Sequence, residues 1–212
     1  MIFGILLPLF IFLMLMLAVI DQTGGIAWDK DILLAIHATV QPGLDTLATL
    51  LTELGVYWGV VPAVVAIGIR LIGLRHWRSL LYLVATSTGS VLLNWIAKLS
   101  LHRARPHLWE TNYSVTAGFA FPSGHAMSSL TLVAILVVLV WNTRWRGLTV
   151  IAGTAFVLGV SWSRLYFGVH YPSDIVAGWM LAIAWASFTR LLIYQPYSIS
   201  TPLPTSSGIE KT

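Results

Sequence analysis

The sequence contains no cysteine and very little charge. Without thiols there is no disulfide framework, no thiolate zinc site and no cysteine nucleophile. Charged residues make up 9% of the 212 positions, against roughly 25% in an ordinary soluble domain. With 57% of its residues hydrophobic, such a chain cannot keep a fully wettable exterior. The composition is that of an integral membrane protein. Eight carboxylates leave little material for a multi-carboxylate metal cluster. Twelve Lys and Arg residues give a formal net charge of +4, and in a membrane chain such cations report topology before they report nucleic acid.

What the chain has in abundance is uncharged apolar sequence. A spanning helix needs about 20 apolar residues, fewer where flanking polar side chains snorkel. The runs are Met1 to Ile20, Leu54 to Ile69, Ser79 to Ala97, Gly124 to Thr143, Gly147 to Ser163 and Ile175 to Thr189. Snorkelling of Arg70 and Arg190 lets the second and last continue to Leu74 and Tyr194. The first run lacks a basic leader and is long for a cleaved signal, so it is read as a retained helix. The sequence predicts an all-α membrane bundle of six transmembrane helices, forming a single domain over residues 1–194. The Ser-, Thr- and Pro-rich stretch 195–212 is expected to be a disordered cytoplasmic tail.

The charges between the runs support this layout. Residues 21–53 carry Asp21, Asp29, Asp31, Asp45 and Glu53 against Lys30 alone. Arg70, Arg75 and Arg78, then Arg144 and Arg146, then Arg190 and Lys211 mark the alternate side. The positive-inside rule then places both termini in the cytoplasm. Asp31 to Leu54 has apolar residues at helical spacing, broken at Pro42-Gly43, which predicts two short helices lying at the outer interface. Trp28, Trp77, Trp109, Trp141 and Trp145 fall near helix ends and form an aromatic belt. His37, His76 and His107 are read as interfacial side chains.

Two outer loops, Lys98 to Glu110 and Arg164 to Asp174, break the positive-inside pattern, and three polar clusters fall on one outer face. They are Lys98 to Pro106, Phe121-Pro122-Ser123-Gly124-His125, and Ser163-Arg164 to His170 and Asp174. An antiparallel bundle brings alternate helix ends together, so all three can share one site. Their chemistry fits a phosphate group. Lys98, Arg105 and Arg164 supply positive charge, and guanidinium groups bind phosphoryl oxygens in a bidentate fork. Pro122 suits a first helical turn, and Ser123 and Gly124 are expected to offer free amides to an anion there. His125 lies where it can protonate a departing oxygen. If residues 170–174 are helical, Asp174 reaches one nitrogen of His170, fixes its tautomer and leaves the other nitrogen free to attack. Pro172 lies between them, so this stretch can instead be the start of a helix.

These motifs resemble the signatures of the type-2 phosphatidic acid phosphatase superfamily, which includes membrane lipid phosphatases and is related to glucose-6-phosphatase and the vanadium haloperoxidases. The pattern Lys-x6-Arg-Pro, Pro-Ser-Gly-His and Ser-Arg-x5-His-x3-Asp is matched by Lys98…Arg105-Pro106, Pro122-Ser123-Gly124-His125 and Ser163-Arg164…His170…Asp174. The resemblance implies a phosphohistidine at His170, oriented by Asp174, with His125 as proton donor to the leaving alkoxide. It implies phosphate binding by Lys98, Arg105, Arg164 and the amides around Ser123 and Gly124, with no metal and no other cofactor. The compact chain is similar to bacterial inner-membrane members acting on phosphatidylglycerol phosphate or undecaprenyl diphosphate, and phosphatidic acid is a further candidate substrate. The implied partners are a lipid phosphate and the bilayer, with no nucleic acid and no obligate protein partner. The site faces the periplasm or exterior in this layout. Protonated His102 and Arg103 are candidates for holding a second phosphate. Two other classes stay open: a non-enzymatic membrane anion-binding or transport protein, and a metalloenzyme with His125, His170 and Asp174 as ligands.

Overall fold

A computed structural model describes residues 2–20, 26–109 and 118–194, and the predicted tail at 195–212 lies outside these. Every regular element among the described residues is a helix: α1 (Phe3–Ile20), α2 (Ala27–His37), α3 (Pro42–Leu54), α4 (Val60–Gly73), α5 (Trp77–Leu101), α6 (Gly124–Leu139), α7 (Arg146–Tyr166) and α8 (Pro172–Tyr194). Four of them, α1, α5, α7 and α8, are long and apolar enough to cross a membrane, and α4 and α6 are shorter apolar helices. The break foreseen at Pro42-Gly43 separates α2 from α3, because Pro42 has no amide to donate and occupies the first turn of α3.

The surface is inverted relative to a soluble protein. Phe3, Val91 and Ile151 are 85%, 67% and 71% exposed, an outward apolar face that only lipid satisfies. Polar groups point inward. Thr86 and Thr189 join α5 to α8 at 2.9 Å, and Ser90 and Thr131 join α5 to α6 at 2.9 Å. Bonds of this type contribute about 0.6 kcal/mol each in membrane proteins, so close packing must supply more. At Gly89 a Cβ would lie 2.2 Å from the Trp185 ring, and the missing side chain lets α5 and α8 approach. The indole there donates to the Ala85 carbonyl at 3.2 Å.

Helix α8 is the axis of the assembly, packing on α1, α5, α6 and α2. Phe12 and Val19 of α1 share a core with Phe121, Met127, Ala177 and Leu181. A second core joins Leu71, Tyr82, Leu83 and Ile135 of α4, α5 and α6. Both the start of α6 and the start of α8 are therefore held against the bundle centre, and these carry the second and third motifs.

Candidate active site

Backbone hydrogen bonds tie the three motifs to one another. The Ala120 amide donates to the Arg103 carbonyl at 2.8 Å, linking the first cluster to the second. The Ser123 amide donates to the Asp174 carbonyl at 3.0 Å, linking the second to the third. Asn94 of α5 donates to the Pro122 carbonyl at 3.2 Å. Close packing of α8 on this turn depends on Gly178, where a Cβ would lie 2.7 Å from the Ser123 carbonyl oxygen.

His170 sits in the short connection between α7 and α8 and is 2% exposed. Its Nε2 lies 3.2 Å from Arg105 Nη1, and its Nδ1 lies 3.4 Å from Asp174 Oδ2. A guanidinium can only donate, so the Arg105 contact is served by an Nε2 that carries its lone pair. Arg105 is itself aimed by the carbonyls of Gly118 and Val169, at 3.1 and 2.9 Å. Burial, followed by Arg105, Arg164 and Lys98, holds the His170 imidazole well below its ordinary protonation range, while the Ala120 carbonyl acts weakly in the other direction. The ring is thus neutral at pH 7 and stands among all three cations singled out from the sequence.

The pairing of His170 with Asp174 is not that of one helical face. Tyr171 precedes the first turn of α8, and Asp174 is the third residue of that turn. The Asp174 carboxylate accepts the Tyr171 amide at 2.8 Å, as the acid of a capping box does. His170 lies outside the helix, and the cap brings the two side chains together. Pro172 starts the helix rather than interrupting it.

Arg164 lies in the last turn of α7, is 4% exposed, and donates to Thr52 Oγ1 of α3 at 2.6 Å. Lys98, Gly124 and His125 line one cavity of about 340 Å³ together with Asn94, Trp95 and Val91. The expected amide pair is altered. Ser123 is the N-cap of α6, so its own amide is spent on the Asp174 carbonyl and its hydroxyl faces the Ala126 amide at 3.5 Å. First-turn amides at Gly124 and His125 are the ones a helix start leaves without intrahelical partners.

Arg103 corrects the sequence expectation. It does not project toward a second phosphate. It is 4% exposed, pairs with Asp174 through Nη1 and with Asp29 through Nη2 at 2.9 Å, and lies over the Tyr171 ring. Its charge is consumed inside the protein. His102 is exposed and sets its ring edge against Phe119.

Asp29, which the charge pattern places with the topology charges of the first outer loop, is 0% exposed. One sequence signal marks it. Asp29 and the fully buried Leu33 are four residues apart and share a face of α2, and an acid on an apolar helical face is a buried-charge signature. Among the described residues no three His, Asp or Glu side chains converge as a metal-ligand group, and both Asp174 oxygens already have partners in Arg103 and the Tyr171 amide.

The family model described as the PAP2 superfamily matches residues 79–197. Phosphatidylglycerophosphatase B of Bacillus subtilis is 30% identical over 182 residues, spanning 82% of this chain and 88% of the relative. An undecaprenyl-diphosphatase of Sulfolobus acidocaldarius is 26% identical over 195 residues, spanning 90% of each. The crystal structure of a transmembrane PAP2-type phosphatidylglycerolphosphate phosphatase from Bacillus subtilis superposes with a TM-score of 0.74 at 25% identity, covering 87% of this chain and 94% of that one. The chain belongs to the PAP2 superfamily and is an integral membrane phosphatase.

Proposed function

We propose that this protein hydrolyses a lipid phosphomonoester or an isoprenyl diphosphate through a phosphohistidine at His170. The observation that carries this reading is the two-sided setting of that imidazole. Its Nε2 faces Arg105 and the other cations, and its Nδ1 faces the Asp174 carboxylate. In the first step the Nε2 lone pair attacks phosphorus, the bond to the leaving oxygen breaks, and His125 gives that oxygen a proton. In the second step His125 takes a proton from water, whose oxygen attacks phosphorus and releases inorganic phosphate and neutral His170. Lys98, Arg105, Arg164 and the amides at Gly124 and His125 hold the phosphoryl oxygens as charge builds on them.

A lipid substrate follows from the walls of the site. The cavity at Lys98 and His125 shares Val56, Ser90, Val91 and Ser128 with a second cavity of about 190 Å³ lined by Val60, Val61, Val64, Val65 and Leu132. A phosphate can rest at the polar end while its hydrocarbon chain follows the valine-lined end. In this reading residues 1–194 form the phosphatase unit, α1, α4, α5, α6, α7 and α8 span the bacterial inner membrane, and α2 and α3 lie at its outer interface beside the site. Both termini are then cytoplasmic, and candidate substrates are undecaprenyl diphosphate, phosphatidylglycerol phosphate and phosphatidic acid. The test is phosphate release by purified protein from a panel of these lipids, with chelator present and with His170→Ala as the reference. Activity that survives chelator and is lost in His170→Ala supports the reading. Undiminished activity in His170→Ala overturns it.

A further inference from the structure

The nucleophile is backed by a carboxylate, and that carboxylate is held by a second layer of buried ions. Asp29 Oδ1 accepts the Ser173 amide at 2.8 Å, and its Oδ2 accepts the Ser173 hydroxyl at 2.6 Å, Arg103 Nη2 at 2.9 Å and its own-helix Ile26 amide at 3.0 Å. Arg103 Nη1 donates to Ser173 Oγ at 2.8 Å and also to Asp174 Oδ1. Ser173 and Asp174 are the second and third residues of α8. Asp29 therefore caps α8 from another helix, taking an amide that the α8 start leaves open. Arg103 bridges the two carboxylates.

We propose that Asp29 and Arg103 are positioning residues for the phosphoryl-transfer step, acting on His170 through Asp174. The inference rests on the reading of His170 as nucleophile. Two physical arguments carry it. The first is geometric. Asp174 Oδ2 accepts the Tyr171 amide and lies 3.4 Å from His170 Nδ1, so the orientation of the carboxylate is set largely by what grips Oδ1, and that is Arg103. Arg103 in turn is gripped by Asp29. The second is electrostatic. Asp29, Arg103 and Asp174 together leave one negative charge beside the imidazole in a water-poor interior. Buried charge without a partner is costly, and the imidazole becomes cationic when Nε2 bonds to phosphorus. The cluster sets that negative charge on the Nδ1 side of the ring, opposite Lys98, Arg105 and Arg164, where it stabilises the positive charge the imidazole gains and so favours the step. Helix α2 thereby belongs to the reaction apparatus as well as to the membrane interface.

The experiment uses full-length protein in detergent micelles with dioctanoyl phosphatidic acid as substrate. Asp29→Asn keeps an oxygen for the Ser173 amide and removes the charge. It is expected to lower kcat about 10- to 100-fold with KM within about twofold, because the cluster faces the Nδ1 side and not the phosphate. In an Asp174→Asn background the same change is expected to cost less than about threefold, since the relay then has no carboxylate to act on. Arg103→Lys, which keeps charge but cannot span both carboxylates, is expected to behave like Asp29→Asn, and this second variant serves if the first does not fold. Asp29→Glu is expected to recover part of the lost kcat. Retention of more than half of the wild-type kcat in Asp29→Asn and Arg103→Lys overturns the inference. So does a loss of equal size in the Asp174→Asn background, which marks a purely structural role. Full activity in His170→Ala is a different failure and removes the mechanism itself.

Discussion

Gly178 offers a severe test of how the site is assembled. Replacing it with alanine puts a Cβ 2.7 Å from the Ser123 carbonyl oxygen and 3.3 Å from the Met127 amide. Ordinary contact begins at 3.4 Å, so α8 must retreat from the α6 start by about 0.7 Å. Both neighbours are backbone atoms, and no side chain can rotate away. Overpacking of this kind costs about 1–3 kcal/mol, offset by roughly 1 kcal/mol from the better helix propensity of alanine. The net loss of stability is small, about 0–2 kcal/mol. The catalytic loss is larger, because the Ser123 amide bond to the Asp174 carbonyl lies at the same contact. A displacement approaching 1 Å between reacting groups can cost about 100-fold in rate. Gly153→Ala is the control. Its Cβ would meet the Val133 side chain, with Cγ1 at 2.5 Å, an overlap between α7 and α6 that lies away from the motifs. Thermal stability and kcat measured on both variants should show similar small losses of stability, with kcat falling about 10- to 100-fold in Gly178→Ala only. Gly178→Ala with kcat within twofold of wild type, or an equal loss in Gly153→Ala, would refute the idea that the α6–α8 contact aligns the site.

Other expectations follow from single contacts. Thr52→Val removes the hydroxyl that accepts from Arg164 and should lower kcat about 10-fold, the effect of about 1.5 kcal/mol for a hydrogen bond to a charged group. Because the His170 pKa is lowered from 6.5 and the imidazole must be neutral to attack, the acid limb of kcat/KM attributable to this group should lie below pH 6.5. Arg105→Gln removes a charge that disfavours the imidazolium, so that limb should move toward higher pH. Val91→Trp narrows the surface shared by the two cavities and should raise KM for long-chain lipid phosphates while leaving a short-chain phosphate ester little affected, as parallel kinetics would reveal.

Much of this architecture was legible because lipid imposes simple rules. Uncharged runs became helices, Pro42 started α3 where the pattern broke, and the outward faces of α1, α5 and α7 are apolar as spanning segments require. The motif residues were legible because their types and spacing state a chemistry. What sequence could not give is pairing at long range. Asp29 and Ser173 are separated by 144 positions, and nothing local distinguishes a charge on the outer surface from one sealed beneath α8. Arg103 lies two residues from Arg105, and the two cations go opposite ways, one to the carboxylate side of His170 and one to its Nε2. The amide of Ser123 was legible as a helix-start amide, but its partner, the Asp174 carbonyl, depends on how α6 and α8 dock. Local periodicity carries no record of docking.

The central claim is that phosphorus becomes bonded to His170. Rapid-quench trapping with 32P-labelled lipid phosphate, followed by peptide mapping, tests it most directly. The account predicts one alkali-stable, acid-labile phosphoryl group per chain on His170, absent from His170→Ala. Label on another residue, or turnover at the wild-type rate in His170→Ala, would contradict it.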